Sequence, residues 1–313
     1  MAKKTNTSVR MLIPMQGQWL FKGDGATYVG PDAHGVGRVG VCLSSTKFRS
    51  GHASVKARFL TEATAARIVL GFNAATGSYY SVGLGGYNFA YLVDAFVPGQ
   101  GWQALESRGD ISQLKIGRDY NLQVEVMGQQ ISLSVDGVRV IETALRSPLQ
   151  GDQVGLFAWG ESEVQFHDFH LSGSESRIFV VMQFGEQFDA LYKDVIQPVS
   201  SKLGFKAFRA DDVFRPGVIL QDIRRGIVES DVIVAEITPA NPNVFYELGY
   251  AHALEKPTVL LANKRTEKLP FDVSGYRVIF YDDTIGGKRE VESTLYKHLA
   301  SIRKGDVPHT GEY

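Results

Sequence analysis

The chain has 313 residues, enough for two domains that each bury a core. Its 33 Lys+Arg against 34 Asp+Glu leave a net charge of -1, so neither nucleic acid nor an anionic membrane is expected as the main partner. The single cysteine, Cys42, excludes an intrachain disulfide and a thiolate metal site, and fits a reducing compartment.

The first residues, MAKKTNTSVRMLIPMQGQWL, are basic, but their apolar part is too short and broken for a signal peptide. With no apolar run long enough to span a bilayer, a cytoplasmic protein is expected. From residue 15 to 171 the texture is strand after strand. GHASVKARFL, ARIVLGF, YYSVGLG, YNLQVEVMG, QISLSVDG, QVGLFAWG and EVQFHDFHLSG alternate apolar and polar residues, with Gly, Asn or Asp between them. Gly128-Gln129 and Asp136-Gly137 are expected hairpin turns. This pattern predicts an all-β sandwich of jelly-roll type.

After Ser172 to Ser176 the texture changes. RIFVVMQF is a continuous apolar run, as a strand buried on both faces requires. In the next segment Phe188, Leu191, Val195 and Val199 fall on one helical face, and Gly204 ends the helix. FKAFRA, DVIVAEI, PTVLLAN and GYRVIFYD read as strands. GVILQDIRRGIVES, NVFYELGYAHALE and KREVESTLYKHLASIRK read as helices. Strands alternating with helices predict a doubly wound parallel sheet of flavodoxin-like α/β type. The domains are placed at 1–172 and 177–313.

Two motifs are set aside. GVGRVG, Gly35 to Gly40, matches a dinucleotide fingerprint in letters, but it runs into VCLSS, a strand rather than a helix. His167 and His170 lie three apart on a strand, which predicts opposite faces and no shared ligand. No metal and no cofactor is expected; only a loop Ca²⁺ site in the sandwich stays open. Trp19, Tyr28, Tyr79, Tyr80, Tyr87 and Trp102 are available to stack on a sugar, with core packing as the more ordinary use.

In an open parallel sheet, ligands bind beyond the carboxyl ends of the strands. Those ends deliver Gln183, Phe184 and Gly185; then Arg209, Asp211 and Asp212; then Glu236 and the loop from Thr238; and finally Asn263. The loop leads through Asn241-Pro242-Asn243 into a helix carrying Tyr246, Glu247 and Gly249. Asn243 is expected as the N-cap, which puts Glu247 at the end of the first turn. There the carboxylate has two readings: it complements the helix dipole, or it does chemistry. Gly249 leaves room for backbone or ligand to approach.

The blocks VVMQFGEQFDALYKDVIQPVSSKLGFKAFRADD, DIRRGIVESDVIVAEITPANPNVFYELGYAHALEKPTVLL and LPFDVSGYRVIFYD resemble, in order, the bacterial TIR-like family, which is related in fold to the nucleoside 2-deoxyribosyltransferases. The resemblance covers residues 177 to 304 and implies that Glu247 acts at a ribosyl anomeric carbon. Asn243 and Tyr246 would position it, with Gln183, Phe184, Asp211, Asp212, Glu236 and Asn241 around the substrate. The sequence departs from the transferases, which lead in with Asp-Ser-Gly-Thr, and from TIR domains, which carry Trp-Cys where Phe245-Tyr246 stand here. Cleaving an N-glycosidic bond passes through an oxocarbenium-like state that a carboxylate stabilises. Nicotinamide leaves NAD⁺ neutral, whereas a neutral purine must be protonated as it leaves. One candidate acid without a partner therefore points to NAD⁺ or a related nucleotide as substrate.

Residues 15 to 171, ending YNLQVEVMGQQISLSVDGVRVIE and GDQVGLFAWGESEVQFHDFHL, resemble the concanavalin A-like lectin/glucanase domains. Together the resemblances imply an effector in bacterial anti-phage defence. Its sandwich would meet a trigger ligand, a glycan or a protein, and its TIR-like half would hydrolyse NAD⁺ as a homo-oligomer. Deoxyribosyl transfer or hydrolysis, and a non-catalytic nucleotide-binding module, stand as alternatives.

Overall fold

The computed structural model describes residues 7–8, 11–32, 38–212, 219–265, 269, 273 and 276–304. Parts of GVGRVG (35–37), of GVILQDIRRGIVES (217–218) and of the LPFDVSGYRVIFYD block therefore lie outside the described residues. Two compact units emerge: Met1–Leu145 with Leu149–Ser174, and Glu175–Tyr313 with Arg146–Pro148.

The first unit is built of strands, with one short 3-10 turn at Ile111–Gln113 among its described residues. β1 (Thr7–Ser8), β2 (Leu12–Gln16), β3 (Gln18–Lys22), β4 (Gly25–Gly30) and β5 (Val39–Lys47) lead. β6 (Gly51–Phe59), β7 (Ala65–Phe72), β8 (Tyr79–Gly86), β9 (Phe89–Val97) and β10 (Gly101–Asp110) follow. β11 (Asp119–Met127), β12 (Gln130–Val135), β13 (Val138–Ala144), β14 (Gln153–Trp159) and β15 (Val164–Gly173) complete it. One antiparallel sheet runs β13-β12-β11-β6-β15-β4-β3, with β1 also on β15; the other runs β10-β9-β8-β7-β14-β5-β2. Alternation decides which face is inside. In β6, Ala53, Val55, Ala57 and Phe59 are buried while His52 and Lys56 are exposed. Inward residues of both sheets, among them Phe59, Ile68, Leu84, Leu122 and Phe166, make one core. Each such side chain contributes roughly 1.5–3 kcal/mol on burial. β7 does not alternate because its other face is also covered: Val69 joins Val41, Leu43, Tyr79 and Phe157 in a second apolar cluster. Asp136 (φ 50°) and Gly137 (φ 81°) make the β12–β13 turn, as two left-handed residues in a tight hairpin should.

The expectation that His167 and His170 lie on opposite faces is overturned. A bulge with Asp168 at φ 55° interrupts β15, so His167 pairs with Lys56 and His170 with Ser54. Those two partners share one face of β6, and the extra residue therefore brings both histidines to the same outer face. His170 spends Nδ1 on the Asp168 carbonyl at 2.8 Å.

The second unit runs β16 (Ser176–Val181), α1 (Glu186–Leu191), one turn of π-helix (Tyr192–Ile196), α2 (Gln197–Lys202) and β17 (Phe205–Phe208). It continues with α3 (Ile219–Glu229), β18 (Val232–Glu236), α4 (Pro242–Ala253), β19 (Thr258–Asn263), β20 (Val278–Tyr281) and α5 (Ile285–Lys304). All pairings in the sheet β17-β16-β18-β19-β20 are parallel, the 2-1-3-4-5 order of a doubly wound fold. Phe188, Leu191, Val195 and Val199 face the core on the α1/α5 side, with Val180, Val234 and Leu295. On the other side Val244 and Leu248 of α4 pack on Val181, Ile233 and Ala235. Apolar residues on both sides explain the unbroken runs of β16 and β18. No helix among the described residues is long and apolar enough to cross a membrane.

Candidate functional site

The strand order reverses between β16 and β18, and their carboxyl ends are tied together. Gln183 Nε2 donates to the Pro239 carbonyl at 2.7 Å. Phe184 is exposed beside the Arg209 guanidinium, 5.4 Å from its ring centre. Arg209 is buried; it pairs with Asp189 at 2.8 Å and Asp211 at 2.7 Å and lies 4.5 Å over the Tyr192 ring. The bond from Arg209 holds Asp189 below the usual carboxylate range. Asp212 accepts from the Arg209 amide at 2.9 Å and from the Tyr192 hydroxyl. Asp211 and Asp212, expected around a substrate, are thus engaged in shaping the end of β17.

Glu236 departs further from its expected place on the rim. Only 1% of its surface is exposed. Its Oε2 accepts from the Thr238 amide at 3.1 Å, and its Oε1 from Thr238 Oγ1 at 2.5 Å and the Tyr281 hydroxyl at 3.2 Å. Burial pushes its pKa up to about 6, against the opposing pull of those bonds. Thr238 Oγ1 in turn accepts from the Asn263 amide at 2.8 Å. One buried carboxyl therefore knots the ends of β18, β19 and β20.

Asn241, not Asn243, caps α4. Its Oδ1 accepts from the Asn243 amide at 2.9 Å, and Pro242 takes the first helical position, for which its fixed φ is suited. The shift moves Glu247 into the second turn and leaves the first turn without an acid. The dipole effect fades within the first turn, so that account of Glu247 loses its footing. Glu247 is half-buried, no hydrogen bond or ion pair holds it among the described residues, and burial alone pushes its pKa up to about 7. Asn243 and Tyr246 are exposed. A Cβ at Gly249 would meet open space, so no backbone among the described residues makes a close approach there.

On the α1/α5 side, beyond the same strand ends, lies a cavity of about 410 Å³. Thr238, Asn263 and Tyr281 line it below, and Arg265 and Lys288 stand on it. Glu247 does not line it. Tyr281, Arg265 and Lys288 are not among the rim residues named from the sequence. The signal was there, since Tyr281 ends β20 and Arg265 follows β19 by two residues.

The sandwich has a cavity of its own, about 380 Å³, between Trp102, Phe157, Trp159 and Tyr87, with Glu62 and Asn88 also on it. Its floor is a buried ion pair, Arg67–Asp94 at 2.6 Å, braced by Ser81. Of the aromatic residues named above, Tyr28, Tyr79 and Tyr80 are buried and Trp19 packs 5.4 Å from Tyr28; Tyr87 and Trp102 line the cavity. Among the described residues no group of three or more His, Cys, Asp or Glu is placed to hold a metal ion.

No protein-family model matches the chain, and no curated protein matches it. Among solved structures it is similar to the carbohydrate-binding module CBM66 of Bacillus subtilis, at 15% identity over 50% of this chain and 92% of that one, with a TM-score of 0.43. It is also similar to a β-glucanase of Bacillus licheniformis, at 8% identity over 55% and 95%, TM-score 0.39. A third is the CMP N-glycosidase BcmB of Clostridium botulinum, at 20% identity over 38% and 98%, TM-score 0.30. At these values the fold stands on the sheets themselves: a β-sandwich followed by a five-stranded parallel sheet with helices.

Proposed function

We propose that the α/β unit cleaves the N-glycosidic bond of a nucleotide, NAD⁺ first among them, with Glu247 as the group that acts at the ribosyl carbon. The observation that carries this is a half-buried carboxyl with no partner among the described residues, in the second turn of α4, the helix that follows β18. Desolvating such a group is costly unless something charged comes to it, and an oxocarbenium-like ribosyl carbon is such a partner. With NAD⁺ the C1′–N bond breaks, its electron pair leaves with neutral nicotinamide, and water adds at C1′ and loses a proton. The resemblance to TIR-like proteins supports the same choice of residue.

A second reading is favoured by the height of Glu247's pKa, about 7. A carboxyl still partly protonated at neutral pH can donate that proton to a neutral base as it leaves, as a pyrimidine or purine nucleotide requires. The lack of a partner acid, which points in the sequence to NAD⁺ or a related nucleotide, therefore no longer decides between substrates. The pH profile separates the readings. Cleavage of NAD⁺ by ionised Glu247 should accelerate as pH rises through about 7, and expulsion of a neutral base by protonated Glu247 should slow over the same interval.

The test is purified protein with NAD⁺, CMP and deoxynucleosides, reading free base by chromatography. Glu247→Gln should lose on the order of 10²-fold or more in kcat. Turnover at the parental rate in that variant, or no free base from any substrate, would remove the catalytic reading and leave nucleotide binding without chemistry. Within the same proposal the β-sandwich is the recognition half. Its aromatic cavity at Trp102, Trp159 and Tyr87 is the place for a glycan trigger, with self-association and anti-phage defence as the setting.

A further inference from the structure

The cavity between α1 and α5 has an anatomy that Glu247's chemistry does not use. Its floor is held before any ligand arrives. Thr238 and Tyr281 are fixed by their bonds to Glu236, and Thr238 by its bond from the Asn263 amide. A floor ordered in advance lowers the entropic cost of binding. One wall is apolar, made by Phe188, Leu191 and Val291 with Pro239 beside them.

The charges around it are unevenly satisfied. Asp282 is bridged to Lys264 at 3.0 Å. Arg265 and Lys288 have no carboxylate within 4.0 Å among the described residues. Asp194 and Asp283, on the same cavity, are likewise in no ion pair among the described residues. A ligand that suits this set needs three things: an anion for the two cations, hydroxyl donors for the two open carboxylates, and a flat apolar face for the wall. A bare anion supplies the first alone, and a neutral sugar lacks it. A phosphate takes Arg and Lys, a ribose diol donates to carboxylates, and a base lies against apolar side chains.

We propose that this cavity, separate from Glu247, is a binding site for a ribonucleoside monophosphate. Its phosphate lies on Arg265 and Lys288, its ribose hydroxyls on Asp194 or Asp283, and its base on the Phe188–Leu191 wall. The site goes beyond the proposed cleavage, because it is defined by binding and not by turnover.

The experiment is calorimetric titration of the full chain carrying Glu247→Gln, so that no probe is consumed, with AMP, adenosine and inorganic phosphate. AMP should bind most tightly of the three. Arg265→Ala and Lys288→Ala, both at exposed positions, should each weaken AMP by about tenfold and leave adenosine unchanged. Asp194→Asn with Asp283→Asn should weaken AMP and adenosine alike and spare phosphate. AMP affinity that survives the Arg265/Lys288 double change, phosphate binding as tight as AMP, or no AMP binding at millimolar concentration would each overturn the site. AMP binding retained in a protein that cleaves no nucleotide would count against the role of Glu247 and leave this site standing.

Discussion

Under the proposed cleavage, Glu247 would couple function to stability, because the fold half strips its carboxyl group of water. Its pKa stands near 7 in the folded chain against an ordinary 4.5, and burial is the cause. Between those two values the folded chain binds the proton more strongly than the unfolded one, so this group's contribution to stability falls as pH rises from about 4.5 to 7 and then levels off. Glu247→Gln removes the titration. The variant should therefore melt at a higher temperature than the parent at pH 8, with the gap closing toward pH 4.5, while losing activity. Thermal melts across that range provide the check; a variant less stable than the parent at pH 8 would mean that an attractive partner holds Glu247 ionised. Glu236, raised to about 6, pulls in the same direction over a narrower interval. Neither shift was legible in the sequence, because it depends on which chain segments exclude water from the carboxyl.

At the level of the element, the start of α4 decides how Glu247 is read. Asn241-Pro242-Asn243 offers two asparagines as caps, and local propensity does not separate them until the proline is placed. Pro242 at the first helical position leaves Asn241 as the cap. Asn241→Ala should cost about 1 kcal/mol in denaturant unfolding, and Asn243→Ala close to nothing. A larger loss from Asn243→Ala would restore the first-turn position of Glu247 and with it the dipole account. The amphipathic face of α1 and α2 was legible because a period of 3.6 survives one turn of π-helix well enough to keep Phe188, Leu191, Val195 and Val199 together. The face shared by His167 and His170 was not, because a single extra residue in β15 reverses the alternation on which the reading depends.

At the scale of the whole molecule, each unit owns a core. The clusters of the α/β unit draw on residues between Ile178 and Leu299, and those of the sandwich on residues between Ala26 and Leu171. A fragment of residues 175–313 should therefore fold alone, with one cooperative melt and the helical circular dichroism of a doubly wound sheet. A fragment that is unfolded, or that melts without cooperativity, would count against it. By itself the sequence determined the two textures, the class of each sheet and the strand ends that form the rim, because periodicity and burial on one or both faces are local properties of a chain. The tertiary structure alone decided which rim residues are open. Asp211, Asp212 and Glu236 look alike in the sequence as carboxylates at strand ends. Packing gives the first two to Arg209 and Tyr192 and draws the third beneath the surface, and it leaves Glu247 half-buried without a described partner. Burial and hydrogen bonding arise between segments far apart in the chain, and no local pattern encodes them.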